Sequence, residues 1–320
     1  FALPLDMTRI MFPYLVFISL VALQGGVLNS LDRFAAAAIT PVLLNIFLIA
    51  ALVGVRPLTG IALAWAVVGA GVAQFLWLMA SCWRAGMPLS LPVPRLTSEV
   101  RRLLTIMVPG VFGAGVTQIN LLVSTAIASL LPTGSVSFLN YADRLNQLPL
   151  GVVGIAIGTV LLPDLARRIA AGEETGAAAA QARALTVSLA VTLPCAIGLI
   201  GLADPMMVGL FMRGAFDRAA AHGSAQALMA YGVGLSAFVL VRSLAPGFQA
   251  RGDTKTPVKL GLMATGLNIG LKLVLIAPLA HIGIALATSV GAWLNTLLLY
   301  TALRRHGWLV LGAEHKALLR

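Results

Sequence analysis

The chain alternates between long apolar runs and short polar turns. Nine runs fall at about 10–30, 37–55, 58–83, 103–131, 136–163, 184–203, 226–246, 257–277 and 282–303. Each is long enough to cross a hydrocarbon layer of roughly 30 Å as an α-helix. Prolines mark several of their ends and kinks: Pro13, Pro57, Pro109, Pro149, Pro163, Pro194, Pro205, Pro246, Pro257 and Pro278. The pattern predicts an all-α, polytopic helical membrane protein with about nine transmembrane helices. Composition agrees, with 59% hydrophobic residues, 10% charged residues and a mean hydropathy of +0.95 over 320 residues. A soluble core of this size does not need so much apolar surface.

The net charge is +11. The basic residues are scattered through short loops without interleaved aromatics, which fits membrane orientation and not a nucleic-acid partner. One set of loops carries fifteen of the 22 Lys and Arg: Arg33; Arg84, Arg95, Arg101 and Arg102; Arg167, Arg168 and Arg183; Arg251, Lys255 and Lys259; Arg304, Arg305, Lys316 and Arg320. The opposite set carries four: Arg9, Arg56, Arg213 and Arg218. The basic side is cytoplasmic by the positive-inside rule, so the first run enters from outside. The chain opens Phe1-Ala2-Leu3-Pro4 without Met or a basic leader. The expectation is a sequence that starts partway through a longer protein, with an odd number of spans before it.

One run departs from the rest. Around Tyr141–Pro163, extended back to Ser137, the residues Ser137, Asn140, Tyr141, Arg144 and Gln147 recur at spacings of three and four and share one helical face. Such a stripe suits other helices or a water-filled cavity, not lipid. Arg144 lies eight residues inside the expected helix start at Val136, roughly 12 Å along the axis at ~1.5 Å per residue. Its planar fork of donors matches phosphate oxygens, so an anionic, phosphate-bearing ligand is the natural partner. Asp143, the one acidic residue within a run, adjoins Arg144 and points about 100° away from it. The other cations inside runs are Arg242 and Lys272. Arg242 lies close to the cytoplasmic end of its run and is expected to snorkel there. Lys272 either snorkels outward or stands as a fixed positive charge inside the bundle, a role in charge balance or coupling that Asp143 could share.

Catalytic patterns are lacking: there is no G-x-S-x-G, no H-E-x-x-H, no paired cysteine and no carboxylate pair within the runs. Cys82 and Cys195 lie in apolar runs and form neither a disulfide framework nor a metal site. The four histidines, His222, His281, His306 and His315, fall in loops or tails and read as solvated. No enzyme activity, metal or cofactor is expected. The formal GxxxG pairs Gly154/Gly158 and Gly266/Gly270 read as close helix packing.

The Tyr141–Pro163 stretch resembles the eighth transmembrane helix of the MurJ (MviN) lipid II flippase family, within the multidrug/oligosaccharidyl-lipid/polysaccharide exporter superfamily. F-P-Y-L-V-F-I-S-L from Phe12, G-V-L-N-S-L-D-R-F from Gly26, P-V-L-L-N-I from Pro41 and L-A-P-G-F-Q-A-R-G-D-T-K-T-P-V-K from Leu244 agree with it. The resemblance runs in order over nearly the whole chain. It implies part of a two-lobe, MATE-like transporter fold, with this chain matching helices four to twelve of fourteen. Residues 1–84 would complete an N-terminal lobe with three helices, and 85–102 would be a cytoplasmic linker. Residues 103–303 would form a C-terminal lobe with six helices, followed by a cytoplasmic segment at 304–320. It further implies alternating-access transport of lipid II, the undecaprenyl-diphosphate-linked disaccharide-peptide, across the bacterial inner membrane. Arg144 matches a cavity arginine required for that activity. Membrane lipids and cell-wall synthesis proteins are the other partners it suggests. Two further readings are a multidrug exporter of the same superfamily and a non-transporting scaffold for cell-wall synthesis. The first fits poorly with an intramembrane arginine and almost no carboxylate.

The charge asymmetry makes a direct prediction. Gly134→Cys and His222→Cys should react with a membrane-impermeant maleimide added to intact cells, whereas Arg95→Cys, Lys255→Cys and Arg305→Cys should not. Labelling at 255 from outside would overturn the orientation.

Overall fold

The computed structural model describes residues 2–31, 33–55, 59–87 and 98–309. Among them the regular elements are eleven α-helices. The chain divides into two compact units, Phe1–Thr97 and Ser98–Arg320. Most of the expected 85–102 linker and most of the 304–320 segment lie outside the described residues.

The first unit contains α1 (Ala2–Met11), α2 (Tyr14–Ser30), α3 (Phe34–Ala38), α4 (Thr40–Gly54) and α5 (Gly60–Arg84). α5 is its hub, with α1, α2 and α4 packed on it. The lack of a side chain at Gly71 admits Tyr14, since a Cβ there would stand 2.6 Å from the ring. Gln74 Nε2 donates to the Thr40 carbonyl at 2.7 Å, and Trp77 Nε1 to the Ala36 carbonyl at 3.1 Å. These bonds tie the α3–α4 corner to α5. Thr59 caps α5 by accepting from the Ala62 amide.

The second unit contains α6 (Ser98–Ser129), α7 (Ser135–Ala170), α8 (Glu174–Gly201), α9 (Ala203–Phe211), α10 (Arg218–Gln249) and α11 (Lys255–Arg305). Its centre is α10, against which α7, α8, α9 and α11 all pack. Buried residues make up 67% of the apolar window of α10, against 28% in α8 and in α11. Small residues allow this. A Cβ on Gly234 would lie 2.7 Å from the Ser289 Cα, one on Gly232 would lie 2.9 Å from Ile200, and one on Gly247 would lie 2.9 Å from Gln181 and Leu303. With backbones this close, short polar side chains reach across. Ser289, Trp293 and Thr296 on α11 donate to the Ala230, Val233 and Ala237 carbonyls of α10 at 2.6, 2.9 and 3.0 Å. Gln181 on α8 donates to the Ser243 carbonyl at 2.6 Å, and the Ser188 and Ser243 hydroxyls meet at 2.6 Å.

Seven helical stretches are long and apolar enough to cross a membrane. One of them is α11, whose 51 residues extend to about 76 Å, more than two bilayer cores. It breaks at Ala280, which has φ 47° and ψ −127°, into two limbs that match the runs expected at 257–277 and 282–303. α6 has 32 residues, with Gln118–Ser129 as its described apolar part, and it accounts for the remaining run.

The ends of the helices differ from those expected. α7 continues through Pro149 and Pro163 to Ala170, and α8 begins at Glu174, not 184. A proline removes one ladder bond, and the packed neighbours of a bundle helix tolerate the gap. The Ala-rich stretch before 184 is helical by its own propensity. α9 and the turn after it add an outer corner, where Phe211 and Phe216 close on Tyr141 with ring centroids 4.9 and 4.7 Å away. His281 is not a free surface residue. Its Nε2 lies 3.0 Å from the Gly223 carbonyl, and its ring meets Phe138 edge-on. His306 stacks on Trp308, and His222 faces Asp204 at 3.5 Å. Neither are Gly266 and Gly270 close-packing sites, since a Cβ on either would meet nothing within 4 Å.

Three segments of the second unit expected on the cytoplasmic side, the α7–α8 turn, the end of α10 and the residues after α11, meet at one end. Arg251 there bonds the Gly247 carbonyl and Glu174 at 2.9 and 2.6 Å and lies 4.7 Å over the Trp308 ring.

The hinge of α11 carries strain, because an alanine at positive φ with this ψ occupies backbone space that suits glycine. Ala280→Gly should raise the thermal unfolding midpoint, stabilising by about 1 kcal/mol. Ala280→Val should lower it. Equal midpoints for all three proteins would show that the hinge stores no strain.

Candidate functional site

The second unit encloses an open cavity of about 560 Å³, walled by α6, α7, α10 and both limbs of α11. α6 contributes Gln118, Asn120 and Ser124. α7 contributes Asn140, Asp143, Asn146 and Gln147. α10 contributes Tyr231 and Arg242, and α11 contributes Lys272 and Thr288.

Lys272 is completely buried, with 0% of its surface exposed. Its Nζ donates to Asn120 Oδ1 at 2.9 Å and to Ser124 Oγ at 2.7 Å. Ser124 Oγ in turn donates to the Asn120 carbonyl at 2.6 Å. The side chain is held inside the bundle and does not reach the membrane surface. No carboxylate among the described residues lies within ion-pair distance of it. An ammonium has three donors, and two are occupied by these neutral oxygens. Arg242 is exposed. Its side chain lines the cavity and lies across Gly154, where a Cβ would stand 2.8 Å from its Cδ. Two cations and one carboxylate, Asp143, therefore share the cavity wall. Asp143 accepts from Gln147 Nε2 one helical turn away. Asn146 adds a buried Oδ1 with no partner among the described residues.

The five-residue stripe on α7 is divided by this arrangement. Asn140 and Gln147 line the cavity, while Ser137 and Arg144 are exposed and outside its lining. Tyr141 is engaged by Phe211 and Phe216. At about 100° per residue, the cavity-facing residues of α7 centre roughly a quarter-turn away from the stripe. Arg144 stands at the edge of the cavity-facing arc, and no ion pair of its guanidinium is present among the described residues. Gln118, Asn120, Ser124, Asn146, Tyr231 and Thr288 are cavity residues that sequence reasoning missed. The usable signal was Asn120 and Ser124, four apart within the apolar run at 103–131, on one helical face.

A polytopic helical unit with a cationic internal cavity can be compared with known proteins. The family model described as lipid II flippase MurJ matches residues 1–319. The chain belongs to the MurJ family. It is 44% identical over 316 residues to a probable lipid II flippase MurJ of Rhizobium tropici, covering 97% of this chain and 59% of that protein. It is 41% identical to lipid II flippase MurJ of Burkholderia cenocepacia, covering 96% of this chain and 61% of that one. The chain thus spans about three fifths of the length of these relatives. Among solved structures, an inward closed lipid II flippase MurJ matches with a TM-score of 0.81 at 24% identity, over 93% of this chain and 62% of that one. An inward-facing multidrug resistance MATE family transporter matches with a TM-score of 0.80 at 15% identity, over 96% and 72%. At these identities the two structures show the shared fold. Family membership and the apolar helices together make this a multi-pass inner-membrane protein.

The buried ammonium gives opposite predictions for its two sides. A buried ammonium without a carboxylate partner is costly, and Asn120 and Ser124 line the open cavity where water can replace it, so Lys272→Met should keep or raise the unfolding midpoint. Asn120→Leu keeps the charge and removes an acceptor, and should destabilise by about 1.5–3 kcal/mol. Thermal unfolding of the purified variants checks both. A large loss in Lys272→Met with none in Asn120→Leu would show that the ammonium is not held as described.

Proposed function

We propose that the protein moves lipid II across the inner membrane by alternating access, as a transporter and not an enzyme. The observation that carries this reading is the cavity wall, where Lys272 and Arg242 face one carboxylate, beside an exposed Arg144. Support also comes from the family assignment and from relatives whose names specify lipid II. A lipid-linked diphosphate brings at least two negative charges into a region where uncompensated charge is costly. Guanidinium and ammonium donors offset that cost while the disaccharide and peptide bond to amides such as Asn140, Asn146 and Gln147. Arg242 and Arg144 supply forked donors to the phosphates, and Lys272, buried against Asn120 and Ser124, contributes a fixed positive field. The undecaprenyl tail stays in lipid. Asp143 opposes anion entry, and its bond to Gln147 moderates that repulsion. Ser137 and Tyr141 remain part of the proposed headgroup path on α7. Membrane lipids surround the helices, and cell-wall synthesis proteins would be supplied by, or would supply, the transported precursor.

A multidrug exporter shares the fold. A cationic drug favours carboxylate-rich walls, and the excess of cations here argues against one. A scaffold without transport would need no charged cavity at all.

The test is the amount of lipid II accessible at the outer face of cells depleted of their own flippase and supplied with variants. Losing one charge-assisted bond of ~1.5–3 kcal/mol corresponds to roughly 10- to 150-fold in headgroup interaction. Arg242→Ala and Arg144→Ala should each reduce outer-face lipid II on that scale. Arg144→Lys should recover part of it, because ammonium keeps the charge and loses the fork. Wild-type exposure from both alanine variants, with normal folding, would remove the arginines from the mechanism. Wild-type growth without any lipid II movement would favour the scaffold.

A further inference from the structure

The glycine pair Gly154/Gly158 on α7 has the spacing of close helix packing, and the structure divides the pair. A Cβ on Gly158 would meet nothing within 4 Å among the described residues. A Cβ on Gly154 would stand 2.8 Å from Arg242 Cδ, 3.5 Å from Arg242 Nε and 3.7 Å from Leu150 Cδ1. All three are side-chain atoms. Gly234 on α10 is the contrast, since a Cβ there would lie 2.7 Å from the Ser289 Cα. Gly234 lets two backbones approach, whereas Gly154 makes room for one arginine stem.

The position of Gly154 gives that room a direction. Along α7 the cavity lining passes through Asn146, Gln147, Leu150 and Gly151. Gly154 is the next residue in this row, at the helical spacing of three and four, and it is buried. The Arg242 stem covers it and closes the row. On α10 the lining runs from Tyr231 through Phe238 to Arg242, about 16 Å at ~1.5 Å per residue. Arg242 is the last of the three before the basic loop with Arg251, Lys255 and Lys259, so it stands at the end of the cavity nearest the expected cytoplasmic side. Its side chain is exposed and has no ion pair or hydrogen bond among the described residues.

We propose that Gly154 is a positioning residue for Arg242: its missing side chain seats the arginine stem and aims the guanidinium into the cavity, a role that rests on the cavity being the diphosphate site. A methyl group at 154 takes the space of the stem. The stem gives way, because it is exposed and has no polar bond to lose. The guanidinium then leaves its seat while the charge of the protein stays the same. Stability and ligand binding therefore respond in opposite directions. Alanine is the better helix former, so the fold keeps or gains stability, while the ligand loses a forked donor. A glycine required for helix packing has the reverse signature, because a methyl against a neighbouring backbone forces the helices apart.

The test is a double-mutant cycle on the purified protein in a neutral maltoside detergent. Lipid II binding is titrated by native mass spectrometry, and the unfolding midpoint is read from a thermal scan. Arg242→Ala should weaken lipid II binding roughly 10- to 150-fold, the scale of one charge-assisted bond. Gly154→Ala should weaken it at least about fivefold, with a midpoint equal to or above that of the wild type. Gly154→Ser places a different side chain at the same point and should weaken binding to a similar degree. The Gly154→Ala/Arg242→Ala protein should bind no more weakly than Arg242→Ala, since the methyl acts only through the arginine. Gly158→Ala adds the same methyl one turn away and should bind as the wild type does. Gly234→Ala should lower the midpoint. Wild-type binding by both Gly154 variants, beside a weakened Arg242→Ala, would overturn the positioning role and leave the diphosphate reading standing. Wild-type binding by Arg242→Ala would overturn both. Additive losses in the double variant, or a Gly154→Ala midpoint that falls as far as that of Gly234→Ala, would show a packing glycine and overturn the proposal.

Discussion

Everything in the second unit depends on how closely its helices can approach α10. In lipid no hydrophobic force draws helices together, so association rests on packing and on short polar bonds between backbones. α10 meets that demand with residues of minimal size. Where Gly234 lies on Ser289 and Gly232 on Ile200, the hydroxyls and indole of α11 reach carbonyls of α10 at 230, 233 and 237, one helical row. Individually such bonds contribute only about 0.6 kcal/mol. Their effect is geometric, since they fix the rotation of the second limb of α11 against α10. On the other side, Gln181 and Ser188 do the same for α8. Strict packing around α10 leaves the volume between α6, α7 and the first limb of α11 unfilled, and that volume is the cavity.

The cavity is then defined by the charge that its walls hold. A lysine ammonium with no exposed surface is expensive in an apolar bundle unless oxygens replace its water. Asn120 and Ser124 do so with dipoles, not with a carboxylate. A carboxylate partner would have neutralised the charge inside the protein. Neutral oxygens hold the ammonium in place and leave its field available to a ligand. Arg242, laid over the bare backbone at Gly154, adds a second cation from α10. Asp143 is the single acidic counterweight in the lining, so an anion is the favoured guest.

The apolar runs are plain in the sequence, because an uncharged apolar stretch of about twenty residues matches the thickness of a bilayer core and is seldom needed in a soluble helix. Their ends are harder to read. Pro163 has the character of a stop, yet α7 passes through it to Ala170, since a packed bundle helix can lose one ladder bond without breaking. The polar stripe on α7 was legible as a face, and its direction was not. A spacing of three and four identifies residues that lie together, but only the neighbouring helices determine which edge of that face meets a cavity. Here that edge falls on Asn140, Asp143 and Gln147, and Tyr141 on the other edge is taken by Phe211 and Phe216. Lys272 was recognisable as anomalous. Its partners, 152 and 148 residues away in sequence, could not be inferred from a local pattern. The same holds for Arg242, whose contact with Gly154 of α7 no local pattern reveals.

The central claim is that this cationic cavity receives the diphosphate of the transported lipid. The most direct measurement is a cryo-electron-microscopy structure of the protein in nanodiscs with lipid II bound. The account predicts phosphate density within hydrogen-bond distance of Arg242 and inside the cavity walled by Lys272, with Asn120 and Ser124 still holding that ammonium. Phosphate density elsewhere, with the cavity occupied only by water and the Lys272 bonds unchanged, would contradict it.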